Sequence, residues 1–307
     1  MQLCRFFRSL GVLRLCPRPK TVDADSGTGP ALCAAMIPTR RLAWLLAATT
    51  TLAACSVSQD QEVELGRENA TQINAKLPIV RDPVIADYVQ QLGLDLAKRT
   101  SRADLDWRFF VVNSQDVNAF ALPGGFIYVN RGLIDRAQSL DELAGALGHE
   151  IGHVVRRHSV HQMEKGAKAN VAVTLTCSLT RLCNSDLANT AIQVGGAALF
   201  ARYSRLDEAE ADSEAVLNVM RAGIDPRGIP SLFERLLEER RTSPMFIEGF
   251  FASHPLEEDR IRATEREINA LDPSTLKGLR SSDANYDAFR ARLRSLPMPE
   301  ASSRRLP

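Results

Sequence analysis

Residues 139–155 read Ser-Leu-Asp-Glu-Leu-Ala-Gly-Ala-Leu-Gly-His-Glu-Ile-Gly-His-Val-Val. Leu140, Leu143, Ala144, Leu147, Ile151, Val154 and Val155 recur at intervals of three and four, which predicts a helix with an apolar face. Ser139 with Glu142 three positions later has the form of a capping box and fixes the start. Within this helix lies His149-Glu150-Ile151-Gly152-His153, an H-E-x-x-H pattern. A spacing of four sets both imidazoles one turn apart on one face, where their nitrogens converge on a single ion. Glu150 is turned by about 100° from His149, so its carboxylate reaches water at that ion without becoming a ligand. A solvated helix face does not fit, because apolar residues enclose the motif on both sides.

A hydrolytic zinc site needs a third protein ligand and one open position. Continued along the same helix, His158 and His161 lie too far round or too far along to join the first two, and both are expected at the surface. The metzincin continuation requires Gly at 156 and His at 159, where Arg156 and Ser159 stand. A carboxylate ligand is therefore expected, and a second strong helix at 204–222 supplies Glu208-Ala209-Glu210-Ala211-Asp212. Glu208 and Asp212 share a face, so the first can bind metal while the second accepts an N–H from a ligating histidine. Glu210 and Glu214 point elsewhere and are expected to be solvated.

Outward from these two helices, 61–76 and 83–99 are amphipathic, the latter opened by Asp82 and Pro83. Residues 107–112 and 126–129 are rich in aromatic and β-branched side chains and predict strands, the second reached through a Pro123-Gly124-Gly125 turn. Further helices are predicted at 229–240, 256–270 and 284–296, with short helices and loops over 165–202. The fold class is α+β, mainly helical, with a small β-sheet.

The chain has 307 residues, 45% hydrophobic and 24% charged, which excludes global disorder and a disulfide-dense miniprotein. Seven of its 38 basic residues (Arg5, Arg8, Arg14, Arg18, Lys20, Arg40, Arg41) fall in residues 1–55 against two acidic ones, Asp23 and Asp25. The remainder carries 31 basic against 35 acidic side chains. It has no basic field for phosphates, so nucleic acid is not an expected partner.

From Met36 the chain reads as a secretory signal: Arg40 and Arg41, then an apolar stretch at 42–54 too short to span a bilayer. Its end, Leu52-Ala53-Ala54-Cys55, resembles the lipobox of bacterial lipoproteins, in which the cysteine thiol takes the lipid; an ordinary signal peptide is the alternative. Ser56, by resemblance to lipoprotein sorting, implies the outer membrane. Residues 1–35 then stand as an upstream extension or a long n-region, 36–54 as signal peptide and 55–60 as a lipid-anchored linker in the periplasm. In that oxidising compartment Cys177 and Cys183 form either a disulfide or a pair of buried thiols.

The two metal motifs, with residues 118–125 (Asn-Ala-Phe-Ala-Leu-Pro-Gly-Gly) ahead of the first and 222–226 (Ala-Gly-Ile-Asp-Pro) after the second, resemble zinc metallopeptidase family forty-eight. This is the gluzincin family of HtpX and the CAAX-prenyl proteases, and its short periplasmic lipoproteins have the most similar architecture. The resemblance covers about 61–272, leaving 273–307 as a C-terminal helix and tail. It implies a zincin-like fold, one Zn2+ per chain, and an E-x-x-A-D motif that makes Glu208 the third ligand after His149 and His153. It also implies that the strand containing Asn118, Ala119, Phe120 and Ala121 pairs with an extended substrate backbone. His254-Pro255 and Arg260 resemble a motif of the outer-membrane-assembly members. There His254 either occupies the water site in a self-inhibited state or steadies the oxyanion, and Arg260 is a further regulatory candidate.

The expected reaction is endoproteolysis of misfolded or misassembled envelope proteins, with Glu150 as general base. A zinc aminopeptidase fits less well, since 54 residues separate His153 from Glu208 and no exopeptidase signature is present. A chaperone or adaptor that uses zinc only to fold requires a fourth protein ligand, for which His254 is the candidate.

Overall fold

A computed structural model describes residues 57–166 and 202–297. Cys55, Cys177, Cys183 and the segments 1–35 and 36–54 lie outside the described residues. Helix α1 spans Gln59–Lys76, starting two residues before the expected position because Ser58 and Gln61 form a reciprocal capping box. Helix α2, Pro83–Ala97, is capped by the Asp82 carboxylate, which accepts from the backbone N–H of Val84 and Ile85. Three strands follow: β1 Arg108–Val112, β2 Ala119–Leu122 and β3 Phe126–Asn130. They form a mixed sheet of order β1-β3-β2, in which β3 is parallel to β1 and antiparallel to β2. The β2–β3 turn places Gly124 and Gly125 at φ 78° and 98°, where a side chain would be strained.

After β3 come α3 (Arg131–Arg136) and α4 (Leu140–Val155), the helix carrying both histidines. The expected capping box at α4 does not close. Ser139 Oγ turns instead to Asp141, and Glu142 Oε2 accepts from Gln138 N at 2.7 Å. Glu142 Oε1 accepts from Ser231 and Arg235, so tertiary partners have taken the residue that local capping required. The chain resumes in α5 (Arg205–Arg221), which does have a closed box between Ser204 and Asp207. Then follow α6 (Gly228–Thr242), a 3-10 turn at Pro244–Phe246, α7 (Glu248–Ser253), α8 (Glu258–Asn269) and α9 (Ala284–Ser295). None of the described helices is long and apolar enough to cross a membrane.

Residues 140–154 of α4 are all buried, enclosed by α2, α5, α6 and the sheet. Gly152 lies where α4 meets α5: a Cβ there would be 2.7 Å from Ala211 O and 2.9 Å from Ala211 Cα. Gly152→Ala should therefore push α5 away and cost about 1–3 kcal/mol in urea unfolding, with weakened metal binding. Unchanged stability would mean that the two helices are not held at this spacing. At the other end of the chain, Tyr286 and Phe289 of α9 are fully buried, Phe289 stacking on Tyr88 of α2 at 4.4 Å.

A buried ion cluster closes the C-terminal end of α4. Glu62, inaccessible to solvent, accepts from Arg102 at 2.7 and 3.1 Å, from Arg157 at 2.8 Å and from Gly124 N at 3.2 Å. With its carboxylate fully engaged, the burial cost is met by charge-assisted bonds.

Candidate metal centre

α4 and α5 cross so that His149, His153 and Glu208 face one another, and the loop after α7 adds His254. All four are buried, and one ligand atom from each lies within 4.8 Å of every other. His149 Nε2 is 3.0 Å from His153 Nε2, and Glu208 oxygens are 3.5 Å from each. His254 Nδ1 sits 3.3 Å from His149 Nε2 and 3.2 Å from Glu208 Oε1.

The outward nitrogens decide what these contacts mean. Asp212 Oδ1 lies 2.9 Å from His149 Nδ1 and, as a carboxylate, accepts its proton, so a neutral His149 turns a bare lone pair inward at Nε2. His153 Nδ1 is 2.9 Å from His158 Nδ1, and its Nε2 likewise faces inward. At 3.0 Å the two nitrogens are held together by a proton or by a metal ion between them. Tetrahedral ligands about 2.0–2.1 Å from an ion are spaced about 3.3 Å apart, which the 3.0–3.5 Å separations match. Two imidazoles and a carboxylate are a donor set suited to zinc, so the residues present fit the metal.

Charge is arranged around the cluster. Burial alone would lower the His149 pKa, but Asp212 and Glu208 outweigh it and bring it to about 9. Burial holds His153 well below its ordinary value. Glu208 is opposed by burial, yet the charge of His254 and the hydrogen bonds of the three histidines keep it well below the usual carboxylate range. Arg260 likewise overcomes burial to keep Asp212 ionised. Its Nε and Nη2 donate to Asp212, Nη1 lies against Glu208 Oε2, and its guanidinium covers the Phe233 ring at 4.8 Å. Despite that close ion-pair contact, Glu208 Oε2 has no hydrogen bond of normal geometry among the described residues.

Glu150 is buried beside the cluster with Oε1 3.5 Å from His254 Nε2. Its Oε2 has no hydrogen-bond partner among the described residues, and burial raises its pKa. A buried carboxylate oxygen with nothing to bind is costly unless it has a task.

The expectation that His158 is a surface residue is overturned. It is 2% exposed. Helix α4 ends at Val155, and Arg157 adopts φ 56°, which breaks the helical register and turns His158 back under His153. His161, by contrast, is exposed. Nor are Glu210 and Glu214 simply solvated: Glu210 reaches His158 Nε2 at 3.2 Å, and Glu214 pairs with Arg156 at 2.9 Å. Tyr203, not singled out in the sequence, stacks on His153 at 3.9 Å and bonds Ser159 Oγ at 2.9 Å through its hydroxyl. Ala119, Phe120 and Ala121 lie in β2 at the sheet edge, and Asn118 immediately precedes it.

Comparison with known proteins agrees with this geometry. The description of Peptidase family M48 matches residues 83–268. The β-barrel assembly-enhancing protease of Escherichia coli K12 is 28% identical over 258 residues, 81% of this chain and 51% of that protein. Its Vibrio cholerae counterpart is 31% identical over 257 residues, 79% and 50% of the two chains. The mitochondrial metalloendopeptidase OMA1 of Arabidopsis thaliana is 39% identical over 134 residues, 43% and 26%. The chain spans about half the length of the β-barrel assembly-enhancing relatives it matches. With the family description covering 83–268, both metal helices and the His254 loop included, the chain belongs to Peptidase family M48.

Proposed function

We propose that the protein is a zinc-dependent endopeptidase of the bacterial envelope that cleaves misfolded or misassembled proteins, with His254 holding it in a resting state. The observation that carries this is the convergence of His149 Nε2, His153 Nε2 and the Glu208 carboxylate in one buried cluster, with Glu150 Oε2 alongside and unpartnered among the described residues. His149, His153 and Glu208 would hold the zinc. When bound, zinc supplies Lewis acidity, lowering the pKa of water and polarising a carbonyl. Glu150 takes the proton of the attacking water at Oε2 and returns it to the leaving amine. Asp212 keeps the proton of His149 on Nδ1, and Arg260 holds Asp212 and Glu208 in place.

His254 Nδ1 stands at the fourth corner of the cluster. A site closed by four protein ligands is at rest or purely structural, and the buried Glu150 supports the former. His254→Ala is expected to raise casein cleavage severalfold while zinc is retained. Loss of both zinc and fold would instead support the chaperone or adaptor role. A quality-control role is supported by the name of the relatives, β-barrel assembly-enhancing protease, and anchoring at Cys55 in the outer membrane by the lipobox and Ser56. The edge position of β2 supports strand pairing with substrate at Ala119 to Ala121. The test of the whole reading is metal content with endoproteolysis. Purified protein should contain one zinc, lose casein cleavage to a chelator and regain it with added zinc. Metal-independent cleavage would sink it.

A further inference from the structure

We infer that His158, backed by Glu210, is a positioning residue that fixes the proton and ring orientation of His153, as Asp212 does for His149; this rests on the metal reading above. The two imidazoles need the same thing, a proton on Nδ1 and a lone pair at Nε2, yet their outer partners differ. Asp212 is a carboxylate and can only accept. His158 can accept through Nδ1 only if its own proton sits on Nε2. Glu210 Oε2 lies 3.2 Å from that Nε2, with Asp207 Oδ1 at 3.8 Å, so two carboxylates select this tautomer. The relay Glu210–His158–His153 then delivers the result of a carboxylate partner across one extra ring.

The alternative proton placement is incompatible with His153 as a metal ligand. With its proton on Nδ1, His158 would donate to His153, force the His153 proton onto Nε2 and remove the lone pair facing Glu208. The relay is also built by the backbone. Residue 158 reaches His153 only because Arg157 takes up a left-handed conformation. Arg157 is held there by Glu62 at 2.8 Å and by Val57 O at 2.6 Å. On its other side, the His153 ring is stacked by Tyr203.

The test is zinc affinity by competition with a chromophoric chelator, together with the visible spectrum of the cobalt-substituted protein. His158→Ala should weaken zinc by about 10- to 100-fold and shift the cobalt bands. His158→Asn, whose amide oxygen can accept from His153 Nδ1, should recover most of the affinity, and Glu210→Ala should give a smaller loss in the same direction. A merely structural role would lower the melting temperature of the metal-free protein without separating Asn from Ala in zinc affinity, and that result overturns the proposal. So does wild-type affinity in His158→Ala. Should His158→Ala not fold, Glu210→Ala and His158→Asn decide: a Glu210→Ala protein binding zinc as tightly as wild type overturns it. If instead His153→Ala binds zinc as tightly as wild type, the metal reading itself has failed.

Discussion

Replacing Glu150 by Gln should leave one zinc per chain and reduce casein cleavage by about 10²- to 10⁴-fold. Glutamine keeps the volume and one acceptor oxygen, so the buried position beside His254 remains filled. What it loses is the ability to take a proton at Oε2, the oxygen that none of the described residues hydrogen-bonds. Glu150 is not among the four residues whose ligand atoms cluster, so metal content should not follow activity down. Stability should hold or rise, because burial already disfavours the charged carboxylate that the substitution removes. The measurement is paired: zinc per chain by atomic absorption and initial cleavage rates on the same preparation. Undiminished proteolysis would remove Glu150 from the chemistry, and loss of zinc would make it a ligand.

How much of this site was legible in the sequence depends on whether a residue's neighbours are set by helical periodicity. His149 and His153 face the same way because a spacing of four dictates it, and the same rule joined Glu208 to Asp212. The distance between the two helices is not local information. It is fixed by Gly152 against Ala211, and the sequence supplied it only through family resemblance. His158 was misplaced for a physical reason. A left-handed residue is normally announced by Gly or Asn, whereas Arg157 occupies one without such a signal, held by the buried Glu62 some 95 positions earlier. The Ser139 capping box failed similarly, since Glu142 is drawn to Ser231 and Arg235 on α6. Local rules thus gave His149, His153, Glu208 and Asp212, and a long-range ion pair at Arg157 decided where His158 lies.

Glu208→Ala should have the largest effect on the metal, lowering zinc content well below one per chain and abolishing cleavage with it. The side chain has two duties. Its oxygens stand 3.5 Å from the inward nitrogen of each histidine, and Oε2 also meets Arg260. Alanine removes the only anionic donor from the ligand cluster, leaving three imidazoles whose lone pairs must bind a doubly charged ion without neutralising it. It also leaves Arg260, nearly buried, with Asp212 as its remaining carboxylate partner. Breaking one arm of a buried ion network in this way costs about 3–5 kcal/mol, which urea unfolding of the metal-free protein would register. Glu208→Gln separates the duties: it still offers Arg260 an acceptor oxygen, so stability should largely return, but it remains a poor zinc ligand and cleavage should stay lost. A Glu208→Ala protein that retained full zinc and full activity would mean that His149, His153 and His254 hold the ion by themselves, and Glu208 would lose its place as a ligand.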